Sequence, residues 1–416
     1  MFHFQFSNRF DSLVTNFLIE SLEIEIQLLI AMKIAIFTNN YLPNPYGVSG
    51  SVESFRKSFE SLGHKVYVFA PRWKGFQDNN PNVFRYPSVE TNIKIKFPLA
   101  IPYSRQIKKV LNNLDLDIIH SQHPNLLGSA AKYWAKKKNV PLVFTWHTLY
   151  DQYAHFVPFL PRKLTASWAI RNAKNYANQC DAVIVPTPSV IEVIRKWGVV
   201  NKNVVSIPTG VEEKQFANPN RESVRGKYNI KDNEILLLVM TRLTAEKNVG
   251  FLIEAVIKAL KKNVLAKFMV CGEGNLKDSL TKKILEAGLK ERVIFVGIVS
   301  EAEKKNYYAA GDIFVYASKS ETQGMILTEA MYLGLPIVAV RATGVRDIVE
   351  NEKTGFLVSE NREEFAQMVR KLIEGENLRR EFGEKAKKIA REKYTSSVCA
   401  KKMLEVYEKS IESKRS

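Results

Sequence analysis

Glu321-Thr-Gln-Gly-Met-Ile-Leu-Thr-Glu329 sets two carboxylates around a glycine. Before it runs Ile313-Phe-Val-Tyr316, short, apolar and β-favouring; after it, Met325 to Leu333 has a helical pattern closed by Gly334 and Pro336. A strand that gives way to a helix at a glycine is one unit of an α/β fold. A helix opening here points backbone N–H groups of Gly324, Met325 and Ile326 outward, which suits a phosphate. A carboxylate on the loop and another inside the helix suit hydroxyl groups, because each accepts two hydroxyl hydrogen bonds. Phosphate and polyol together describe a nucleotide sugar. The plainer alternative is one surface glutamate and one glutamate favoured by the helix dipole.

The chain of 416 residues exceeds one ordinary core and fits two domains, and a hydrophobic content of 45% supports a globular fold. Cys180, Cys271 and Cys399 are widely spaced, with no C-x-x-C, which argues for a reducing compartment and against structural zinc. The net charge is +18, and the larger share of that excess lies in the first half. Lys94, Lys96, Arg105, Lys108 and Lys109 interleave with Phe97, Leu99, Ile101 and Tyr103. Arg162, Lys163, Arg171 and Lys174 do so with Phe156, Phe159, Leu160 and Trp168. Cations among apolar side chains suit an anionic membrane surface; a solvated basic face is the alternative. Lys108, Lys109, Arg162, Lys163 and Trp168 are the candidate membrane or acceptor contacts. No run reaches the roughly 18 apolar residues of a membrane span. Peripheral binding at a membrane surface is the expected mode. Residues 1–31 read as an extension or upstream start without assigned chemistry, since Met32 opens the first strand pattern.

Strand patterns at Lys33–Thr38, Lys65–Ala70, Asp117–His120, Pro141–Thr145 and Ala182–Pro186 alternate with helix patterns at Val52–Leu62, Leu126–Lys138 and Lys163–Gln179. A second series has strands at Ile235–Thr241, Lys267–Gly272, Val293–Val296, Ile313–Tyr316 and Pro336–Val340. Its helices are Val249–Lys261, Leu276–Ala287 and Glu301–Ala309. This alternation predicts two Rossmann-like, doubly wound parallel sheets facing a cleft, with C-terminal helices. The expected domains are 32–208 and 232–392, the second carrying the nucleotide-sugar motif. A turn-rich linker, 209–231, joins them, and a last helix, 393–416, has the option of packing back on the first domain.

Ligands of open α/β sheets bind beyond the carboxyl ends of strands. Thr241-Arg-Leu-Thr-Ala-Glu-Lys-Asn248 follows such a strand, placing Arg242 and Lys247 to neutralise a diphosphate. Pro43-Asn-Pro-Tyr-Gly-Val-Ser-Gly-Ser51 is the matching first-half loop, where Gly47 allows close backbone approach. Cys271-Gly-Glu-Gly274 is a weaker turn signal. His147, in Thr145-Trp-His-Thr148, ends another strand and can donate to a sugar hydroxyl or to developing charge. No metal-ligand spacing and no G-x-S-x-G elbow occur.

These motifs resemble those of the retaining family 4 glycosyltransferases of GT-B fold, from Met32 onward. The resemblance implies that Arg242 and Lys247 hold the donor diphosphate, Glu321 the sugar hydroxyls and Glu329 the ribose. It further implies backbone donors at Gly324, Met325 and Ile326, a close approach at Gly47, nucleobase contacts at Ile298 and Val299, and a sugar contact at His147. Ala35-Ile-Phe-Thr-Asn-Asn-Tyr-Leu-Pro43, Thr145-Trp-His-Thr-Leu-Tyr-Asp-Gln-Tyr-Ala-His155 and the Glu321-Thr-Gln-Gly form of the motif resemble bacterial 1,2-diacylglycerol 3-glucosyltransferases. The resemblance implies the cytoplasmic face of the cell membrane as the location and acceptor binding by the first domain, 32–208. Many relatives carry phenylalanine where Gln323 stands. Tyr46 and Asn39-Asn40 depart from commoner residues, which bears on the acceptor rather than on the donor.

The expected reaction moves a hexose, glucose from UDP-glucose, to a membrane lipid such as diacylglycerol. A soluble or polyprenyl-linked saccharide is the alternative acceptor. A nucleotide-sugar epimerase on the same fold would need an acid/base pair that the sequence does not display. No cofactor is required on this reading, with Mg²⁺ assistance left open, and nucleic acid is not an expected partner.

Overall fold

The structure is a computed structural model and describes residues 31–44, 47–90, 98–153 and 162–416; the side chains of 152, 153, 162 and 163 are also outside the description. The first sheet contains β1 (Lys33–Phe37), β2 (Lys65–Pro71), β3 (Val83–Tyr86), β6 (Ile118–Ser121), β7 (Leu142–Thr145), β8 (Ala182–Val185) and β9 (Val204–Ser206). Its order is β3-β2-β1-β6-β7-β8-β9, and β4 (Ser88–Glu90) and β5 (Pro98–Ala100) form a separate antiparallel pair. The second sheet has β10 (Ile235–Met240), β11 (Ala266–Cys271), β12 (Val293–Gly297), β13 (Ile313–Tyr316), β14 (Ile337–Val340) and β15 (Gly355–Val358). Its order is β12-β11-β10-β13-β14-β15, every pairing parallel.

Both central strands read as near-continuous apolar runs because helices cover both faces. Ile34 to Phe37 and Leu236 to Val239 are buried throughout. Each of these side chains larger than Ala35 contributes about 1.5–3 kcal/mol relative to exposure. The order reverses between β1 and β6 in one sheet and between β10 and β13 in the other. Loops beyond these reversals are where α/β sheets bind ligands. By packing, the described residues up to Val143 with Lys409–Ser416 form one compact unit, and Phe144–Glu408 the other.

The expected strands recur within a residue or two at their ends. β3, β4, β5, β9 and β15 are additions, each too short or too interrupted to stand out. The helix expected from Val52 begins at Gly47, through a glycine- and serine-rich stretch with poor intrinsic propensity. The linker expected to be irregular holds a helix, Arg221–Lys227, capped by the Asn220 side chain accepting from the Ser223 N–H at 2.9 Å. Its buried residues are Val224 and Arg225; the arginine, 1% exposed, donates to the Lys231, Glu234 and Ala310 carbonyls and pairs with Asp312. A buried arginine breaks the apolar period by which a helix is read. The C-terminal region is helical as expected: Arg362–Glu374, Glu376–Lys393 and Ser396–Arg415.

Candidate active site

The loop after β10 is set by backbone pairing with the loop after β11. Thr241 N–H donates to the Cys271 carbonyl and Leu243 N–H to the Glu273 carbonyl, each at 2.9 Å. A Cβ on Gly272 would lie 1.8 Å from the Thr241 carbonyl oxygen, so only glycine permits this approach. The weak Cys271-Gly-Glu-Gly274 signal thus marks a structural contact. Ala245–Lys247 forms a single 3₁₀ turn, ended by Asn248 in the left-handed region (φ 53°), before the helix Val249–Lys261.

Lys247 Nζ donates to Glu321 Oε1, across the reversal between β10 and β13. The same oxygen accepts from Tyr316 Oη at 2.5 Å and Ser318 Oγ at 2.9 Å. Ser320 Oγ donates to the Glu246 carbonyl at 3.2 Å, tying the two loops again. Arg242 Nη2 lies 3.2 Å from Glu246 Oε1. Burial pushes the Glu321 carboxyl up, but the Lys247 ammonium and the two hydroxyls outweigh it, so its pKa falls below the ordinary value. Both side chains of the pair are about 13% exposed. Removing either one leaves the other charge largely buried and unpaired, so an alanine variant would not leave stability untouched.

Gly324 precedes the helix Met325–Tyr332 with φ 76°, a conformation that side-chain-bearing residues rarely adopt. The opening amides of any helix lack partners inside it, and Met325 and Ile326 are half-buried here. Glu329 is buried one turn further along and accepts from Tyr308 Oη at 2.7 Å, with Lys304 Nζ at 4.0 Å. Burial raises its pKa against the opposing pull of Lys304 and the Tyr308 hydroxyl. Ile298, just after β12, is 81% exposed, whereas Val299 packs against the second core.

His147 follows the fully buried Trp146, which packs against Phe144, Tyr150 and Trp197 and whose Nε1 donates to the Thr148 carbonyl at 2.7 Å. That anchor fixes the backbone where His147 emerges half-buried. The His147 carbonyl accepts from Thr322 Oγ1 at 3.3 Å, so the structure joins His147 to the residue beside Glu321.

Gly47 lies in the other compact unit, where nothing among the described residues comes within 4 Å of a Cβ built on it. Lys108 and Lys109 are exposed on the helix Arg105–Asn113, near exposed Leu99, Ile101 and Tyr103 in sequence. Leu164 and Trp168, one turn apart on the helix Arg162–Ala177, are 67% and 63% exposed. The Arg162 and Lys163 side chains, and Tyr46, Lys94, Lys96, Phe97, His155, Phe156, Phe159 and Leu160, lie outside the described residues. Tyr316, Ser318, Lys304, Tyr308 and Gln323 were not legible as site residues. Tyr316 and Ser318 carried a signal, since Tyr316 ends the strand that delivers Glu321 and Ser318 lies on the loop between them. Lys304 and Tyr308 had none, as they reach Glu329 only through folding.

The model described as Glycosyltransferase Family 4 matches residues 45–215, and that described as Glycosyl transferases group 1 matches 220–389. An alpha-monoglucosyldiacylglycerol synthase from Acholeplasma laidlawii is 32% identical over 80% of this chain and 86% of its own length. The chain belongs to glycosyltransferase family 4. This family 4 glycosyltransferase is similarly related to a Streptococcus pneumoniae protein of the same name, 29% identical over 78% of this chain and 75% of the relative. Its fold matches Anabaena HepE, solved with UDP and glucose, at TM-score 0.70 and 19% identity, covering 91% of this chain and all (100%) of that one. Sucrose-phosphate synthase from Thermosynechococcus elongatus matches at TM-score 0.74 and 19% identity, over 91% and 98%. The enzyme is a hexosyltransferase of GT-B fold. Among its described residues no helix is long and apolar enough to cross a membrane.

Proposed function

We propose that this enzyme transfers glucose from UDP-glucose, with retention, to a membrane lipid such as diacylglycerol. The observation that carries the donor half is the Lys247–Glu321 pair at the reversal of the second sheet, beside the N-terminus of the helix Met325–Tyr332. Lys247 and Arg242 meet the diphosphate, Glu321 orders the sugar hydroxyls, and the Gly324, Met325 and Ile326 amides face the phosphate oxygens. Glu329 takes the ribose, Ile298 and Val299 flank the base, Gly47 admits the phosphates closely, and His147 donates at the transferred sugar. The acceptor half is supported by relatives named alpha-monoglucosyldiacylglycerol synthase and by cations set among exposed apolar side chains.

In the reaction the acceptor hydroxyl attacks the anomeric carbon from the leaving-group face. The bond from that carbon to the phosphate oxygen breaks, and the departing diphosphate takes the acceptor proton. Negative charge grows on the diphosphate, so donors already aimed at it lower the barrier more than they tighten ground-state binding. No cofactor has a required role; Mg²⁺, where it assists, adds positive charge at the same diphosphate. Domain limits of 32–208 and 232–392, location at the cytoplasmic face and independence from nucleic acid belong to the same proposal.

The test is incubation with UDP-glucose labelled in the sugar and vesicles of diacylglycerol with anionic phospholipid, with and without EDTA. Label in the organic phase is the expected result. Label on a water-soluble saccharide would replace the acceptor, and conversion of the nucleotide sugar without transfer would overturn the reading.

A further inference from the structure

The loop that carries Glu321 also carries Gln323, a side chain only 4% exposed to solvent. Its Oε1 accepts from the Thr209 N–H at 2.7 Å, and its Nε2 donates to the Thr209 carbonyl at 2.8 Å. One side-chain amide thus pairs with both main-chain groups of a single residue, as a neighbouring strand would. Phenylalanine at this position would form neither bond. Thr209 belongs to Pro208-Thr-Gly-Val211, on the connection that leaves β9. That connection is itself fixed: Val211 N–H donates to the Tyr394 carbonyl at 2.7 Å, and Ser396 N–H to the Val211 carbonyl at 2.8 Å. A Cβ on Gly210 would come within 2.4 Å of the Thr395 and Ser396 backbone.

The residue on the other side of the loop is held as well. The Thr322 carbonyl accepts from Thr187 Oγ1 at 2.7 Å, and Thr322 Oγ1 donates to the His147 carbonyl at 3.3 Å. Two consecutive residues, Thr322 and Gln323, therefore anchor the backbone between Glu321 and Gly324 to three separate segments. Glu321 has its own bonds to Lys247, Tyr316 and Ser318, so Gln323 does not touch the carboxylate.

We propose that Gln323 is a positioning residue: its paired bonds to the Thr209 main chain hold the turn that aims Glu321 and the following helix N-terminus at the donor. This rests on the donor-site reading above. Gln323→Met keeps length and apolar contact but deletes both bonds. Gln323→Glu keeps the acceptor for the Thr209 N–H, yet its ionised form turns a second oxygen toward the Thr209 carbonyl. Once protonated, that oxygen regains a donor. Burial raises the carboxyl pKa of the new glutamate, so the donor returns as pH falls.

The experiment measures kcat and the donor KM for both variants across pH, with amide hydrogen exchange of the peptides containing Thr209 and 321–327. Losing buried hydrogen bonds of this kind predicts a fall in kcat of roughly tenfold to a hundredfold for Gln323→Met, with little change in KM. Gln323→Glu should show the same defect near about pH 8 and recover toward the wild type near about pH 6. Protection at Thr209 should follow the same pattern. A packing role alone would not create that pH rescue. Wild-type kcat in Gln323→Met, or a Gln323→Glu profile parallel to the wild type, overturns the proposal. If the wild type transfers no sugar, the functional reading fails on its own. Exchange then decides the clamp, and unchanged Thr209 protection in Gln323→Met overturns it. Should Gln323→Met not fold, Gln323→Glu compared at the two pH values supplies the same decision.

Discussion

The two sheets reverse their strand order at comparable places, and the chemistry gathered there is opposite. Beyond β10 and β13 stand Arg242, Lys247 and Glu321, a concentration of formal charge. Beyond β1 and β6 stand Asn39, Asn40, Asn44, Gln122 and His123, with no formally charged residue from Thr38 to Asn44 or from Ser121 to Leu126. Asn39 joins the two loops there. Its Nδ2 donates to the Asn125 carbonyl at 3.0 Å, its Oδ1 accepts from the Leu127 N–H at 3.1 Å, and its own N–H donates to His123 Nδ1 at 3.1 Å. The histidine proton therefore sits on Nε2. Burial pushes His123 down to about 4 and His120 to about 3, so both stay neutral near neutrality. Similar topology thus carries two electrostatic surroundings, one dense in formal charge and the other neutral and rich in side-chain amides; on the function proposed above, the charged one meets the donor diphosphate.

The strongest way to break this contrast is to remove charge from the second reversal. Lys247→Met and Glu321→Gln should each lower kcat by about a hundredfold or more, by analogy with loss of a donor to developing charge. Steady-state kinetics checks this, and near-normal turnover in either variant would leave the charged reversal without a catalytic role. Glutamine is preferred at 321, because alanine would leave Lys247 without its partner at a cost of about 3–5 kcal/mol.

Acidification tests the neutrality of the first reversal. His120 and His123 titrate at an ordinary 6.5 when unfolded and at about 3 and about 4 when folded. The unfolded chain binds more protons between those values, so their contribution is present above pH 6.5 and is lost as pH falls. From pH 6.5 to about 5 each should cost on the order of 2 kcal/mol, read from urea unfolding at a series of pH values. Glu321, also depressed, adds its loss only below the ordinary carboxylate range. An imidazole NMR titration placing either histidine near 6.5 would erase the contrast.

A smaller effect is expected from Asn39→Asp, which removes the donor to the Asn125 carbonyl and brings charge into the neutral loops. Stability should fall by about 1–3 kcal/mol, again by urea unfolding, whereas Asn40 offers no comparable bridge. The least effect belongs to the outer surface. Lys108→Gln and Lys109→Gln should each weaken binding to anionic vesicles severalfold, from about 1 kcal/mol per cation, with the difference vanishing at high salt. Unchanged vesicle binding in the double variant would remove this helix from the lipid contact.

What could be read in advance follows a physical line. β1, β10 and β13 were legible because buried parallel strands must be almost wholly apolar. The Glu321–Glu329 stretch was legible because a glycine between strand and helix limits what the backbone can do. The helix Arg221–Lys227 was not, since one of its two buried side chains is Arg225, held by the Lys231, Glu234 and Ala310 carbonyls and by Asp312, partners that only folding supplies. β9 and β15 are three- and four-residue strands whose pairing, rather than their composition, makes them strands.

Sequence by itself determined two α/β halves, the family, and the residues that bring charge to the donor loops, because periodicity and local turn chemistry are short-range properties. Tertiary structure alone decided that Lys247 donates to Glu321, that Tyr308 and Lys304 stand against Glu329, and that Gln323 grips Thr209. These partners are separated by many residues along the chain. Only the folded backbone brings their polar atoms within the few ångströms over which hydrogen bonds act.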